Sequence, residues 1–374
     1  MRKVLVSSLL LLFVSLGYSL KAQDDISDIF KSGMADLNKV AEGYLAPAGN
    51  AFAAGMGSNW YNTADTHKLL GFDFRIGISG TQIPVSDQMF SLEGLENLKA
   101  MDPNVSQAPT FGGSADGVEL SLMQPRYLKG GSEENPLYDN GNGVITSFTT
   151  PSGLTRYVPS ASLQLTIGLP LKNDLIVRFV PTIKNSGVET SLWGIGLKNN
   201  FKELIPFFKY LPFSLSALVA YNQFDISYAF PTSAQVTPDK LVSEDLGYVP
   251  AAESSDYTDQ GMKMSASSLT ANIIISKNFI FFTPYLGVGV IRTNFDLKMA
   301  GNYPTLGDPV DTGGGEYKMQ IINKIDPVSF SSSQVMPGAT LGFRLKILGI
   351  ISAHAQYTLQ KYPTASIGFG LGMR

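Results

Sequence analysis

The sequence predicts an all-β fold: a transmembrane antiparallel β-barrel of about twelve strands, with fourteen as the alternative, and a short helical N-terminal plug. Three observations predict it. Long segments alternate between apolar and polar residues, only 16% of residues are charged, and an apolar leader opens the chain. Ordinary soluble domains carry about 25% charged residues. The alternation matters most, because successive side chains of a strand point to opposite faces of a sheet.

The leader has the features of a secretory signal peptide. Arg2 and Lys3 precede an apolar run over 4–20, and Lys21-Ala22 offers a cleavage site. The chain has no cysteine, so neither a lipid anchor nor a disulfide framework is available. We expect three regions: a signal peptide over 1–22, a helical plug and tether over 23–68, and an outer-membrane barrel over 69–374.

Charge and hydropathy narrow the classes of protein further. The net charge is −3, and loss of the three basic residues of the leader leaves 25 basic against 31 acidic residues. A nucleic-acid partner is therefore not expected. The most apolar later stretch, 279–291, is too short for a spanning helix and contains Pro284. A soluble β-sandwich and an outer-membrane barrel remain as alternatives.

The polar face of the alternating segments favours the barrel. From Ile351 to Gln360, apolar or aromatic residues alternate with Ser, His, Gln and Thr. Across the segments the polar positions hold Ser, Thr, Gly, Gln and an occasional Arg, whereas a soluble sandwich usually shows Lys, Glu and Thr to water. Segments of about ten residues also suit a tilted membrane strand. We therefore expect one face to meet lipid and the other to line a lumen.

Eleven segments are expected to form strands. They are 70–80, 117–124, 157–169, 174–184, 188–199, 212–228, 263–277, 279–297, 335–347, 350–360 and 363–373. Long polar connections, 125–156, 229–262 and 298–334, are assigned to the cell exterior, and short turns to the periplasm. Because single-chain bacterial barrels have even strand numbers, we expect a twelfth strand within 81–116.

Two further segments are expected to lie against the barrel or the membrane. Apolar residues at helical spacing over 24–44 predict an amphipathic helix, and the Gly/Ala-rich run after it predicts a tether. The alternative is a plain periplasmic tail. The connection 198–212, rich in aromatic residues and lysine, predicts an amphipathic segment at the membrane interface, with a packed loop as its alternative.

Several phrases resemble the signature of an outer-membrane barrel family of unknown function from Bacteroidetes. They are Tyr44-Leu-x-Pro47, Gly55-x-Gly57-Ser-Asn-Trp60-Tyr-Asn-Thr-Ala64, His67-Lys68-x-x-Gly71-Phe72-Asp73, the segment 194–212, Pro284-Tyr-Leu-Gly287 and Tyr357-Thr-x-x-Lys361-Tyr-Pro363. A helix ahead of a barrel is also similar in architecture to the long-chain fatty-acid transporter family, whose plug gates hydrophobic substrates. That second likeness carries no ligand residues across.

Two groups of candidate site residues follow from the sequence, one from the polar positions of the alternating strands and one from the N-terminal segment around residues 60–67. The lumen-lining candidates are Asp73, Arg75, Gln164, Arg178, Lys198, Arg344, Lys346, His354 and Gln356. The plug and tether candidates are Trp60, Tyr61, Asn62 and His67. The charges of the lumen are positive on balance. They would favour anions in an open channel, or pair with Asp24, Asp25 or Asp28 in a plugged one.

We expect no catalytic residues, no metal site and no cofactor. His354 and His67 are far apart in sequence, and neither has a recognisable nucleophile or orienting partner. The acidic residues between 239 and 259 lack the ligand spacing of a calcium loop. The expected partners are outer-membrane lipid and a small hydrophobic solute; protein partners are not specified by the sequence.

The leading functional hypothesis is a passive channel or transporter for small molecules, hydrophobic ones included. The alternative is a non-transporting scaffold that docks surface or secreted proteins through its long external loops. A barrel enzyme is the least favoured class.

Overall fold

The computed structural model describes most of the chain after the leader. The described residues are 34–96, 98–123, 144–185, 187–206, 210, 212–238, 248–250, 257, 259–311, 317–347 and 349–373. The signal peptide expected over 1–22 and the first part of the helix expected over 24–44 lie outside these ranges. Within them, no helix has the length and apolar character needed to cross a membrane.

The described elements are one α-helix, eighteen strands and three short 3-10 turns. The helix is α1, Met34–Gly57. The strands are β1 Phe72–Gln82, β2 Met89–Ser91, β3 Leu98–Ala100, β4 Gln107–Pro109, β5 Glu119–Met123, β6 Val144–Thr149, β7 Tyr157–Leu169, β8 Asn173–Asn185, β9 Val188–Asn200, β10 Ser214–Ala229, β11 Tyr248–Pro250, β12 Gly261–Ser276, β13 Phe282–Ala300, β14 Asn302–Asp311, β15 Tyr317–Ile325, β16 Ser329–Ile347, β17 Ile351–Leu359 and β18 Thr364–Met373. The 3-10 turns are Val85–Asp87, Lys202–Leu204 and Thr232–Ala234.

Ten of these strands close into an antiparallel barrel. Their order around the ring is β1, β18, β17, β16, β13, β12, β10, β9, β8, β7, and back to β1. At the seam, Phe72 of β1 is opposite Met373 of β18 on one side and Ile167 of β7 on the other. The expected all-β antiparallel barrel is thus present, with ten strands in the described closed sheet instead of twelve.

The difference in strand number has a definite place in the chain. The segment expected as a barrel strand over 117–124 forms β5, which pairs with β3 and β6 in a separate sheet. Because β1 pairs directly with β7, the ring has no gap for β5 or for a further strand within 81–116. The odd count of eleven therefore came from one surplus strand and not from a missing one.

The two ends of the barrel differ in their connections. At the end that we call the turn end, β7 is joined to β8, β9 to β10, β12 to β13 and β16 to β17. At the other end, the loop end, long connections join β1 to β7, β10 to β12 and β13 to β16, and their described residues include the small sheets outside the barrel. Strand β6 pairs with β5 and not with β7, whereas β14 and β15 form a hairpin outside the ring.

The two faces of the barrel wall follow the alternation in the sequence. On β1, Phe72, Phe74, Ile76 and Ile78 point outward and are 39–57% exposed. Their neighbours Asp73, Arg75 and Ser79 point inward and are buried. The same pattern repeats around the ring, and it gives the barrel an apolar belt outside and a largely polar wall inside.

Helix α1 lies inside the barrel and contacts β13, β12, β7, β16 and β1. The Gly/Ala-rich run that the sequence analysis assigned to a tether is therefore helical as far as Gly57. Its small residues allow close approach to the wall, because a Cβ atom at Gly49 would overlap the ring of Phe295. Ala51, Ala53 and Ala54 have no exposed surface. A helix enclosed on all sides needs no polar face.

Candidate functional site in the barrel lumen

The lumen is filled by a continuous stretch of chain. Helix α1 enters from the loop end, and residues 58–71, the exit segment, continue from its last residue to β1 at the turn end. We call these two pieces together the plug. The plug divides the lumen into a loop-end half around α1 and a turn-end half around the exit segment.

The loop-end half is mainly apolar, although Asn50 of α1 donates to Ser332 at 2.8 Å. Phe52 of α1 meets Phe224 of the wall edge-on, with ring centroids 5.0 Å apart. Phe295 packs on Phe330 at 6.0 Å and covers Gly49 of the helix. These residues belong to one buried cluster that also contains residues of the 83–111 segment. Apolar packing therefore holds α1 in this half.

The turn-end half is polar, and its wall binds the plug through backbone carbonyl groups. Arg178 is fully buried and donates from Nη1 to the Met56 carbonyl at 2.6 Å and from Nη2 to the Ser58 carbonyl at 3.0 Å. Asn222 donates to the Met56 carbonyl at 2.9 Å, and Thr270 to the Gly57 carbonyl at 2.8 Å. The last carbonyls of a helix lack partners within it and carry partial negative charge. The buried guanidinium of Arg178 donates hydrogen bonds at this end and also places a positive charge beside the partial negative charge.

Trp60 is the centre of a second set of contacts. Its carbonyl accepts hydrogen bonds from Arg75 at 2.8 Å and Gln164 at 3.2 Å. The guanidinium of Arg178 lies 3.7 Å from the centroid of the Trp60 ring, a cation–π contact. Gln164 also accepts from Arg178 Nε at 3.1 Å, so one wall amide joins both contacts.

The residue before Trp60, Asn59, also binds the wall, and its backbone has a positive φ of 61°. Its side-chain oxygen lies 2.7 Å from Nε2 of His354. Asparagine adopts this left-handed conformation more readily than most residues. His354 therefore helps to position the chain where it turns out of the helix.

The end of the exit segment is bound by hydroxyl and charged groups. Ser276 accepts from the Ala64 amide at 2.9 Å, and Ser216 donates to the Ala64 carbonyl. Asp174 accepts from the His67 amide at 2.8 Å and forms an ion pair with Lys198 at 3.0 Å. The side chains of His67 and Asp174 have no exposed surface, so this pair lies within the packing between exit segment and wall.

Most of the residues that the sequence analysis selected face the lumen. Those on the inward face and buried are Asp73, Arg75, Gln164, Arg178, Lys198, Arg344, His354 and Gln356. Trp60, Tyr61, Asn62 and His67 are buried within the lumen as parts of the exit segment. Lys346 differs: it lies at the turn end and is exposed, because β16 extends past the level at which the plug fills the barrel.

The partners of the charged lumen residues, and several contacts of the plug, differ from those expected from the sequence. Asp24, Asp25 and Asp28 were the expected partners of the lumen charges, and they lie outside the described residues. Among the described residues Arg75 pairs with Asp73 at 3.3 Å and Lys198 with Asp174. Strand parity could have placed Asn222 and Thr270 inside the barrel. No sequence signal could have shown that their partners are backbone carbonyls.

A small cavity lies beside the plug. A cavity of about 10 Å³, room for roughly one water molecule, lies beside residues 57–61 and is lined by Gln356, Thr358 and Gln360 among others. In the part of the chain that the structure describes, no group of three or more His, Cys, Asp or Glu side chains could hold a metal ion. The expectations of no catalytic, metal or cofactor site stay predictions.

A family match covers the chain. Residues 1–373 match a family of unknown function, DUF6588. The chain belongs to this family. No curated protein is significantly similar in sequence. The Bacteroidetes origin expected from the resemblance stays a prediction.

Several solved structures share the barrel pattern remotely. Ail, the attachment invasion locus protein of Yersinia pestis, is 8% identical, with 82% of this chain and 98% of that chain covered and a TM-score of 0.24. The translocator domain of the autotransporter NalP from Neisseria meningitidis is 10% identical, with 87% and 92% covered and a TM-score of 0.29. A Pseudomonas aeruginosa FadL homologue is 9% identical, with 81% and 89% covered and a TM-score of 0.20. Likenesses this remote carry no conclusion about function.

Proposed function

We propose that the protein is a β-barrel of a bacterial outer membrane that transports small molecules, hydrophobic ones included, and that the plug closes its lumen in the described conformation. The outward apolar belt supports the membrane location, because a closed barrel leaves no strand edge unpaired in hydrocarbon. The long connections of the loop end then face the exterior and the turn end faces the periplasm.

The observation that carries the transport proposal is the way the turn-end half holds the exit segment. Its wall binds that segment through hydrogen bonds from Arg178, Asn222 and Thr270 to backbone carbonyls. Water can replace a backbone carbonyl as the acceptor of such bonds, so this wall can be wetted when the segment moves. A barrel that only needed to be filled would be equally stable with an apolar interior.

The two halves also suggest the kind of solute. The apolar loop-end half would offer a hydrophobic surface, and the wall below it carries four buried cations, Arg75, Arg178, Lys198 and Arg344, against the two carboxylates Asp73 and Asp174. An opened lumen of this kind favours anions modestly. Hydrophobic molecules and small anions are therefore the first solutes to test.

A disulfide between plug and wall tests whether transport needs the plug to move. The chain has no cysteine of its own. A Cβ atom at Gly55 would lie 3.3 Å from Cβ of Ser160 on β7, close to the roughly 3.5–4.5 Å of a disulfide. We expect oxidised G55C/S160C in proteoliposomes to block influx of arabinose, lactate and a hydrophobic dye, and reduction to restore it.

The control places a disulfide within the wall. A Cβ atom at Gly338 of β16 would lie 3.1 Å from Cβ of Gln360, just beyond β17, so G338C/Q360C joins neighbouring strands and leaves the plug free. Its oxidation should not change influx. Equal influx with the G55C/S160C disulfide closed would overturn plug displacement, and no influx of any probe in the wild-type or reduced proteins would overturn transport itself.

One observation favours the scaffold as the second candidate. The loop end has a buried core of its own, in which Val40 of α1 packs with Leu92, Leu98, Ala108 and Leu120. An ordered surface of this kind could present loops to another protein. Under this hypothesis, partners would co-purify with the oxidised G55C/S160C protein as well as with wild type, and would be lost when the loop within 229–262 is shortened.

A further inference from the structure

A row of inward-facing polar side chains runs across neighbouring strands in the turn-end half. Arg75 of β1 is directly opposite Gln164 of β7, and Gln164 is directly opposite Arg178 of β8. Across Gly194 of β9, the row continues to Asn222 of β10. Arg178 donates from Nε to Gln164 at 3.1 Å and from Nη1 to Asn222 at 3.5 Å. The two amides therefore hold the guanidinium in one orientation, with its Nη atoms directed at the plug.

The guanidinium of Arg178 differs from the neighbouring cations in its partners. Arg75 pairs with Asp73 at 3.3 Å and Lys198 with Asp174 at 3.0 Å. Among the residues that the structure describes, Arg178 is fully buried and forms no ion pair with a carboxylate. A buried charge without an opposite charge is costly, and carbonyl oxygens offer only partial charges in compensation. A carboxylate at this place would bind the guanidinium more strongly than the plug carbonyls do.

The ring of Trp60 fills a slot beside the same side chain. A Cβ atom at Gly194 would lie 3.2 Å from Cη2 of that ring, and one at Gly196 would lie 3.3 Å from its Cζ3. We call the space over these two glycines the ring slot. The guanidinium of Arg178 lies 3.7 Å from the centroid of the ring. The plug thus presents one flat aromatic ring and two carbonyl oxygens to a single guanidinium.

We propose that Arg178, Asn222 and the ring slot form a binding site for a carboxylate that carries an aromatic ring on a short chain, and that the plug occupies this site until such a solute displaces it. The carboxylate replaces the Met56 and Ser58 carbonyls on the two Nη atoms, since a guanidinium fork accepts both oxygens of a carboxylate. The aromatic ring replaces that of Trp60. The proposal names the solute class of the proposed function and rests on the displacement of the plug given there.

Isothermal titration calorimetry of the full barrel in detergent tests the site with phenylpropionate and its neutral amide, phenylpropanamide. Both ligands carry the same ring and must displace the same plug, so the ratio of their dissociation constants excludes the cost of displacement. We expect the wild type to bind the carboxylate at least about tenfold more tightly than the amide, because hydrogen bonds between charged groups are the stronger ones. Cyclohexylpropionate should bind about threefold more weakly than phenylpropionate, because it has no aromatic face for the guanidinium.

Variants of Arg178 test whether this residue supplies the selectivity. Arg178→Gln should bring the two dissociation constants together. Arg178→Lys keeps the charge but loses the fork, so it should retain only part of the preference. The matched control, Lys346→Gln, removes an exposed cation at the turn end and should keep the wild-type ratio. Equal affinity of the wild type for both ligands, an unchanged ratio in Arg178→Lys, or an equal loss in Lys346→Gln would overturn the site.

The fluorescence of Trp60 shows whether the ligand takes the place of the plug. In a Trp193→Phe background Trp60 is the remaining tryptophan, and phenylpropionate should shift its emission to longer wavelength as the ring leaves the slot. The oxidised G55C/S160C disulfide should abolish both binding and shift. Binding without a shift, or binding to the oxidised protein, would overturn a site shared by ligand and plug.

Failure of this site and failure of the transport function give different results. Influx of lactate and dye through the wild type, without preference for phenylpropionate over its amide, would overturn only the site. Binding that prefers the carboxylate and depends on Arg178, without influx of any probe, would overturn transport and leave the site.

Discussion

The loop-end and turn-end halves of the lumen are filled by one continuous segment but are stabilised by different interactions. Around α1, aromatic and aliphatic side chains interdigitate, and any loosening exposes apolar surface to water. Around the exit segment, wall side chains hydrogen-bond to backbone groups that water could satisfy equally well. The two halves therefore differ in what displacement of the plug would cost: contacts of the exit segment can be replaced by water, whereas movement of α1 would expose apolar surface.

The substitution with the largest expected effect is Phe295→Ala, which tests the packing of the loop-end half. The ring is 2% exposed, covers Gly49 of α1 and packs against Phe330. Its loss should lower the free energy of unfolding by about 3–5 kcal/mol, because a cavity remains where the helix was held. Urea unfolding in detergent measures this. Val335→Ala, an outward change at a side chain 64% exposed, is the control and should change stability far less. Equal losses would mean that the loop-end half is not tightly packed.

The turn-end half is tested by Arg178→Met. The Ser58 carbonyl loses its donor, the Met56 carbonyl keeps only the donor from Asn222, and Trp60 loses its cation–π partner. We expect a loss of about 2–3 kcal/mol together with wetting of the exit segment. In a Trp193→Phe background, Trp60 is the remaining tryptophan, so its emission should shift to longer wavelength. The exposed residue Arg156 provides the control, and Arg156→Met should leave the spectrum unchanged. An unshifted spectrum for Arg178→Met would contradict a wettable half.

A single hydroxyl gives a finer test. Thr270→Val removes the donor to the Gly57 carbonyl while keeping the side-chain volume, and should cost about 1 kcal/mol. Thr293 is also fully buried, but its hydroxyl has no hydrogen-bond partner. Thr293→Val should therefore be neutral or slightly stabilising. If the two variants unfolded alike, the bonds to the plug backbone would not contribute to stability.

The smallest expected effect concerns the segment that covers the loop-end half. Burial alone would raise the pKa of Asp87, but hydrogen bonds from Tyr362, Lys361 and Ser86 outweigh burial and lower that pKa below its ordinary value. The pKa of Asp87 is lower in the folded than in the unfolded protein. The contact therefore contributes its full stabilisation of the fold above the unfolded pKa of about 4, and this stabilisation is lost as the pH falls through the lower, folded pKa.

Pepsin cleavage within 83–111 should therefore accelerate as pH falls from about 5 to 2. Pepsin should cleave the Asp87→Asn protein quickly at every pH between about 5 and 2. Asp225→Asn, a change at an exposed carboxylate on β10, should keep the wild-type pH profile. The cleavage rate of the wild type should depend more steeply on pH than that of the Asp87→Asn protein. Equal pH dependence of the two rates would contradict this role for Asp87.

The sequence predicts the barrel wall well because alternation is a local signal. The strand expected over 157–169 is β7 with the same bounds, and the one expected over 188–199 is β9 with one residue more. The parity of each strand also placed Arg75, Arg178 and His354 inside the barrel. The helix over 45–57 was not predicted, because a Gly/Ala-rich run has no apolar stripe and is helical only where the barrel encloses it.

The contacts of the exit segment were beyond sequence analysis for a different reason. Ala64 meets Ser276, and Asn59 meets His354, across separations of more than two hundred residues. Many of the groups involved are backbone atoms, which every residue possesses. A single sequence therefore shows which wall residues face inward but not what they bind.

The position of the plug also constrains how the molecule is made. The ring closes where β1 meets β18, so the first and last strands of the barrel must find each other, a contact of very high sequence separation that forms slowly. Filling a finished ring would require the apolar helix to pass N-terminus first through the polar half. Closing the sheet around a helix already in place avoids that passage. The barrel and its contents are therefore expected to form in one cooperative step, with the early-synthesised helix serving as the template on which the late-synthesised strands assemble.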